Sequence, residues 1–254
     1  MKKLILILAA TAFMACNNKP SEENNIEKEA TDSVATETPA PEEPSLVEQT
    51  GPVLGIDVSH FQGKIDWQKI KDANIKYAYD KATQGMTYVD PEYKKNRMDA
   101  HSFDFTHGAY HFYVAGDDPQ KQALHFVSVA DYTPDDLPPV LDLEQGGMKA
   151  SVKTENYQKD VLKWLQVVEE KLGVKPVIYT SPAFGNQYLD HPSFGEYDLW
   201  VAEYGVDTPK VPNAWKEKEW LFWQRSERGT VEGAVGQVDH DIYNPKARPI
   251  NIKK

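Results

Sequence analysis

From Val53 onward, short apolar runs alternate with polar stretches of helical period, and this alternation sets the expected fold. Residues 53–58 read as a first strand and 66–71 as a short helix. Residues 77–82 form a second strand, followed by a polar helix over 91–100. A third strand is expected over 108–113. Asp118 then caps a helix with Pro119 at its first position and Ala123, Phe126, Val127 and Ala130 along one face. Residues 139–144 read as a fourth strand. In the longest helix, Tyr157, Val161, Trp164, Leu165, Val168 and Leu172 recur at helical spacing, and Gly173 ends it. A fifth strand covers 176–179. Three more follow at 199–202, 220–223 and 236–243, joined by Pro-, Gly- and charge-rich segments without helical period. Eight strands, the first five alternating with helices, predict an α/β, TIM-like barrel of (β/α)5(β)3 type that lacks helices in its C-terminal part. A doubly wound open sheet is the competing topology, because strand order is not legible from sequence.

The fourth strand carries the chemistry. Side chains alternate along a strand, so Asp142 and Glu144 share one face while Leu141 and Leu143 take the other. Burial and mutual repulsion would raise the pKa of one acid, giving the neutral donor beside an ionised partner that glycosidic cleavage requires. Spacing alone is equally compatible with two solvated acids at a strand end. Asp57 and Asp239 also fall at or near the C-terminal ends of expected strands. In a parallel barrel these ends converge on one face, so four acids from three segments would share a cleft. Tyr110, Tyr179, Trp200, Tyr204 and Trp223 occupy comparable places. An acidic cleft walled by aromatic rings suits a neutral sugar polymer.

Composition changes the picture at the N-terminus. Lys2 and Lys3 precede an apolar run from Leu4 to Ala15 that ends at Cys16, the single cysteine. This resembles a lipoprotein signal peptide over 1–16, with Phe13-Met14-Ala15 before the cysteine and Phe13 where leucine is usual. Acylation of Cys16 would anchor the chain to a membrane and leave no thiol for disulfides or catalysis. Residues 17–52 are expected to be a disordered acidic tether, because they hold few large apolar side chains. Positions 17–50 carry a net charge of −7 out of −11 for the whole chain. The barrel domain, 53–254, is itself acidic, which excludes an electrostatic case for nucleic acid. No phosphate loop, Gly-x-Ser-x-Gly elbow or metal-ligand spacing appears, so neither a cofactor nor a metal is expected.

The motifs converge on one family. Gly55-Ile56-Asp57-Val58-Ser59, Gln62-Gly63, Ile65-Asp66-Trp67 and Lys81-Ala82-Thr83-Gln84-Gly85 resemble glycoside hydrolase family 25. So do Gly108-Ala109-Tyr110-His111-Phe112, Asp142-Leu143-Glu144, Val177-Ile178-Tyr179-Thr180, Leu199-Trp200-Val201-Ala202, Trp223-Gln224 and Val238-Asp239. The resemblance implies a lysozyme (N-acetylmuramidase) acting on peptidoglycan glycan strands. It implies Glu144 as proton donor, Asp142 as the assisting carboxylate, and Asp57 and Asp239 as outer acids. Tyr110, Tyr179, Trp200, Tyr204 and Gln224 are then expected to contact substrate. A glycan-binding barrel without turnover and a chitinase-like hydrolase are the alternatives. Asp80, Gln84 and Glu203 depart from the family's usual residues, and a buried Asp80 would need a partner. The expected setting is a bacterial cell-envelope lipoprotein at the outer membrane, periplasmic or surface-exposed, and monomeric.

Overall fold

The computed structural model describes residues 52–253; the signal segment, Cys16 and most of the tether lie outside the described residues. The strands are β1 (Val53–Val58), β2 (Tyr77–Gln84), β3 (Tyr88–Val89), β4 (Thr106–Phe112), β5 (Val140–Asp142), β6 (Val177–Thr180), β7 (Asp198–Ala202), β8 (Phe222–Gly229) and β9 (Val238–Tyr243). The helices are α1 (Trp67–Asp72), α2 (Tyr93–Ser102), α3 (Pro119–Ala130), α4 (Thr154–Leu172) and α5 (Pro182–Tyr188).

Strand β1 pairs with β2 on one side and with β9 on the other, which closes the sheet into a barrel and excludes the open topology. Neighbours run β1-β2-β4-β5-β6-β7-β8-β9, and β3 is a short hairpin partner on the outer part of β2. One expectation is corrected here. The barrel is not parallel throughout, because β9 runs antiparallel to both β8 and β1. The connection from β8 to β9 is a short hairpin segment, and parallel strands need a longer crossover. The C-terminal third also keeps one helix that its sequence does not advertise. In α5, Ser181 accepts from the Phe184 amide and Pro182 opens the helix, but seven residues are too few to show a period.

The expected caps form. Asp118 accepts from the amides of Gln120 and Lys121 at 2.9 and 3.1 Å, and Gly173 closes α4 with φ of 70°. The apolar faces of α3 and α4 cover the outside of β4–β7, burying Phe126, Trp164 and Leu165 against Leu141, Ile178 and Leu199. Where helices are missing, Trp215 and Phe194 from single 3-10 turns fill the same role, and the Trp215 indole donates to the Tyr197 carbonyl at 2.9 Å.

Inside the barrel, Tyr77, Tyr79, Trp200, Phe222 and Tyr243 form an aromatic plug. Fully burying one such ring contributes about 1.5–3 kcal/mol. Gly55 and Gly108 make room for it, because a Cβ at either would lie 2.2 Å from the ring of Tyr77 or Tyr79. The plug is the floor on which the site rests.

Asp80 lies on the outer face of β2 and is fully buried, with its partners supplied. Asn96 Nδ2 donates to it at 2.8 Å, and His107 Nε2 lies 2.9 Å from its other oxygen. His107, His101 and Asp136 sit close enough together to hold a metal ion. Arg97 Nη1, however, donates to Asp136 at 2.9 Å and lies 3.0 Å from His101 Nε2. The guanidinium already supplies the cation there.

Candidate active site

One cavity of about 330 Å³ opens at the barrel end where β1, β2, β4 and β5 finish. Asp57, Asp142, Glu144 and Asp239 all line it, as do Tyr110, Tyr179, Trp200, Tyr204 and Gln224. Asp57 reaches it because Gly55 and Asp57 point into the barrel and Asp57 is the penultimate residue of β1. Asp239 reaches it for a reason other than the expected one. It is the second residue of β9, and the reversed direction of that strand puts its N-terminal end at the mouth, directly opposite Asp57. Strand β5 ends at Asp142, and Glu144 follows in extended backbone (φ −144°, ψ 172°) before a 3-10 turn. The alternation therefore survives past the strand's last ladder bond.

Asp142 is buried and Glu144 half-buried. Burial raises the pKa of both. Negative neighbours add to this: Glu144 and Asp57 act on Asp142, and Glu227 acts on Glu144. Lys81, the one cation among the lining residues, opposes the shift at both. The pair therefore retains one proton well above the usual carboxyl range. Burial, ahead of like-charge repulsion, is the larger cause. Asp142 Oδ1 is buried and finds no donor among the described protein groups.

Lys81 continues the inward row of Tyr77 and Tyr79, donates to Gln84 Oε1 at 2.7 Å and sits 4.6 Å from the Phe112 ring centroid. Burial lowers its pKa, while Asp142, Asp90 and Glu144 raise it. On the facing wall, Asp239 is pushed up to about 9 by burial and then by Asp57. Asp57 is itself raised by burial and then by Asp241. Asp241 lies deeper, 1% exposed, and accepts from the Trp200 indole at 3.2 Å.

The aromatic residues divide. Tyr110, Tyr179 and Tyr204 face the cavity. Trp200, 2% exposed, is floor: its ring packs on Tyr79 and Tyr179, and its nitrogen is committed to Asp241. Trp223 does not join the site. Phe222 and Gln224 point inward on β8, so Trp223 points out, packing near Trp220 and donating to the Glu203 carbonyl at 2.7 Å. Gln224 lines the cavity but spends its amide on protein. Its Nε2 donates to Asp57 at 2.7 Å, and its Oε1 accepts from Tyr179 and Tyr204 at 2.8 and 2.5 Å. The Glu203 side chain accepts from the Lys210 amide, away from the acids. The sequence reading did not single out Lys81, Glu227 or Asp241 as site residues. The inward row of Tyr77 and Tyr79 points to Lys81, and the spacing from Asp239 points to Asp241.

The sequence profile of Glycosyl hydrolases family 25 matches residues 56–234. Lysozyme M1 of Streptomyces globisporus is 33% identical over 207 residues, covering 78% of this chain and 70% of the relative. A bacterial lysozyme from Streptomyces coelicolor superposes with a TM-score of 0.71 at 32% identity, over 77% of this chain and 94% of that one. A family 25 glycosyl hydrolase from Bacillus anthracis gives 0.67 at 28% identity, over 75% and 88%. With its motifs in order, its barrel closed and its acids gathered at one mouth, the chain belongs to glycoside hydrolase family 25.

Proposed function

We propose that this protein is a peptidoglycan muramidase, hydrolysing the β-1,4 bond between N-acetylmuramic acid and N-acetylglucosamine. The observation that carries this is the pairing of Glu144 with Asp142 at a cavity mouth. Burial keeps one proton on the pair, and Glu144 is the accessible member that can carry it to the glycosidic oxygen, while Asp142 is buried with an oxygen unmatched by any protein donor. Glu144 protonates the glycosidic oxygen as the bond to the anomeric carbon breaks. Asp142 accepts from the N–H of the substrate's acetamido group, whose carbonyl oxygen attacks the anomeric carbon from the opposite face. The Glu144 carboxylate then takes a proton from water as that water opens the cyclic intermediate, giving net retention. Lys81 favours the anionic form of both carboxylates, which helps Asp142 and eases release of the Glu144 proton. The relatives named lysozymes support this substrate class.

The apolar run before Cys16 supports a diacylglyceryl anchor there, with the acidic tether spacing a monomeric barrel from an envelope membrane. Among the described residues no helix is long and apolar enough to cross a membrane.

The deciding experiment digests purified peptidoglycan with the protein, reduces the products with borohydride and identifies the new reducing ends by mass spectrometry. N-acetylmuramitol is expected. N-acetylglucosaminitol alone, or no new ends, would overturn the reading.

A further inference from the structure

One wall of the cavity carries a feature that the cleavage chemistry does not use. Phe61 lines the cavity, yet 79% of its surface is exposed, the highest value among the large apolar residues of the described chain. It belongs to a single 3-10 turn, His60–Gln62, that is clamped from two sides. The Ser59 hydroxyl accepts from the Phe61 amide, and Gln62 Oε1 accepts from the Ser59 amide at 2.9 Å. Gln62 Nε2 also donates to the Gln237 carbonyl at 3.0 Å, tying the turn to the start of β9. On the other side Asp90, whose side chain is fully buried, holds both the His60 amide at 3.2 Å and the His60 ring nitrogen Nδ1 at 2.6 Å. The His60 ring lies 4.1 Å from Phe61 and 6.2 Å from Tyr88, which is itself exposed. Phe61, His60 and Tyr88 thus form a ridge of three rings beside the cavity, with Lys81 Nζ 5.8 Å from the Tyr88 ring centroid.

Here a buried carboxylate and a capping box fix the turn before any ligand arrives, and pre-organisation of this kind lowers the entropy lost on binding. Ring faces match the C–H faces of a pyranose, which are apolar and flat. The ridge is continuous with the cavity holding Asp142 and Glu144, so its occupant is an extension of the same chain of sugars. We propose that the Phe61–His60–Tyr88 ridge is a distal glycan-binding subsite, which holds a sugar of an N-acetylated glycan strand beyond those flanking the cleaved bond. The subsite makes the enzyme prefer long strands to short fragments. This rests on the glycosidase reading above.

The test measures binding to the full-length Glu144→Gln protein, using peptide-free strands of alternating N-acetylmuramic acid and N-acetylglucosamine in graded lengths from two to eight sugars. Affinity should rise with length until the ridge is filled. Phe61→Ala should remove that rise, weakening the longest strands by about tenfold while leaving disaccharide binding near its starting value. Phe61→Trp should restore the rise. Asp90→Asn, which loosens the clamp on His60, should blunt it in part. Equal losses at every length, or none at any, would overturn the subsite. Absence of binding by any strand to Glu144→Gln itself would sink the glycosidase reading and the ridge with it, whereas binding that ignores Phe61 sinks the ridge alone.

Discussion

Gln224 Nε2 donates to Asp57 Oδ2 at 2.7 Å, joining two residues 167 positions apart beside the line where the barrel closes. The same side chain accepts from the hydroxyls of Tyr179 and Tyr204. One amide therefore orients an outer acid and two cavity tyrosines at once. Gln224→Leu removes all three bonds and strands the buried Asp57 carboxyl, at a cost of about 1–3 kcal/mol if it finds no water. Urea denaturation should show a stability loss of that order. Turnover should fall more steeply than the folded fraction accounts for.

Replacing the donor tests the centre of the site. Glu144→Gln keeps shape but cannot release a proton, and losing general acid catalysis should lower kcat by roughly 10²–10⁴-fold. Asp142→Asn should be comparably severe, since it replaces a carboxylate with a neutral amide that cannot stabilise the positive charge developing on the acetamido group. Glycan cleavage by Glu144→Gln at the wild-type rate would contradict the assignment. Following the first-released anomer by NMR tests retention, with the β-anomer expected.

The alkaline limb of activity should reflect the Asp142–Glu144 pair. Burial raises both groups, so the protonated donor survives to higher pH and activity falls as pH climbs through the raised value. Removing the charge of the opposing cation moves this limb in a known direction. In Lys81→Gln the force that lowers both carboxyl pKa values is gone, so the limb should shift to higher pH even as the overall rate drops. A limb moving to lower pH would contradict this.

Asp239 makes a separate statement about stability. Its folded pKa is pushed up to about 9, while an unfolded aspartate titrates at about 3.9. Between those values the folded state holds a proton that the unfolded state has released, so stability falls as pH rises across the window. Asp239→Asn cannot ionise. Its Tm should decline less than the wild type's between pH 5 and pH 8.5, as read by calorimetry.

For the anchor, Cys16→Ala should shift the protein from membrane to soluble fractions or stall its processing. Metabolic labelling with a fatty-acid analogue checks this directly: the unmutated chain should take the label.

The acids were legible because strand alternation survives in the sequence. Asp57 follows Gly55, Glu144 follows Asp142, and in each case the intervening residue is apolar. Asp239 was placed at the right mouth through the wrong strand direction, since residue pattern does not record which way a hairpin strand runs. Trp223 lies outside the site for another reason. Trp220-Leu221-Phe222-Trp223 is apolar at every position, so nothing tells the inward side from the outward one, and Trp223 faces out. Glu227 was hidden by the register shift between Gln224 and Ser226, which breaks the parity linking it to the inward row. Asp80 was visible as an anomaly, but its partners Asn96 and His107 come from separate elements and only the fold reveals them.

The pairing of β1 with β9 has a consequence for how the enzyme comes into being. The first strand of the barrel waits for the last, and the ladder between them places Asp57 opposite Asp239. Contacts so distant in sequence form late, because the loop-closure cost precedes any reward. During synthesis, then, a chain that already displays Asp142 and Glu144 still has no finished cleft, because one wall is missing. The cleft is whole only once the first and last strands have met, so its two walls depend on the two ends of the barrel sequence.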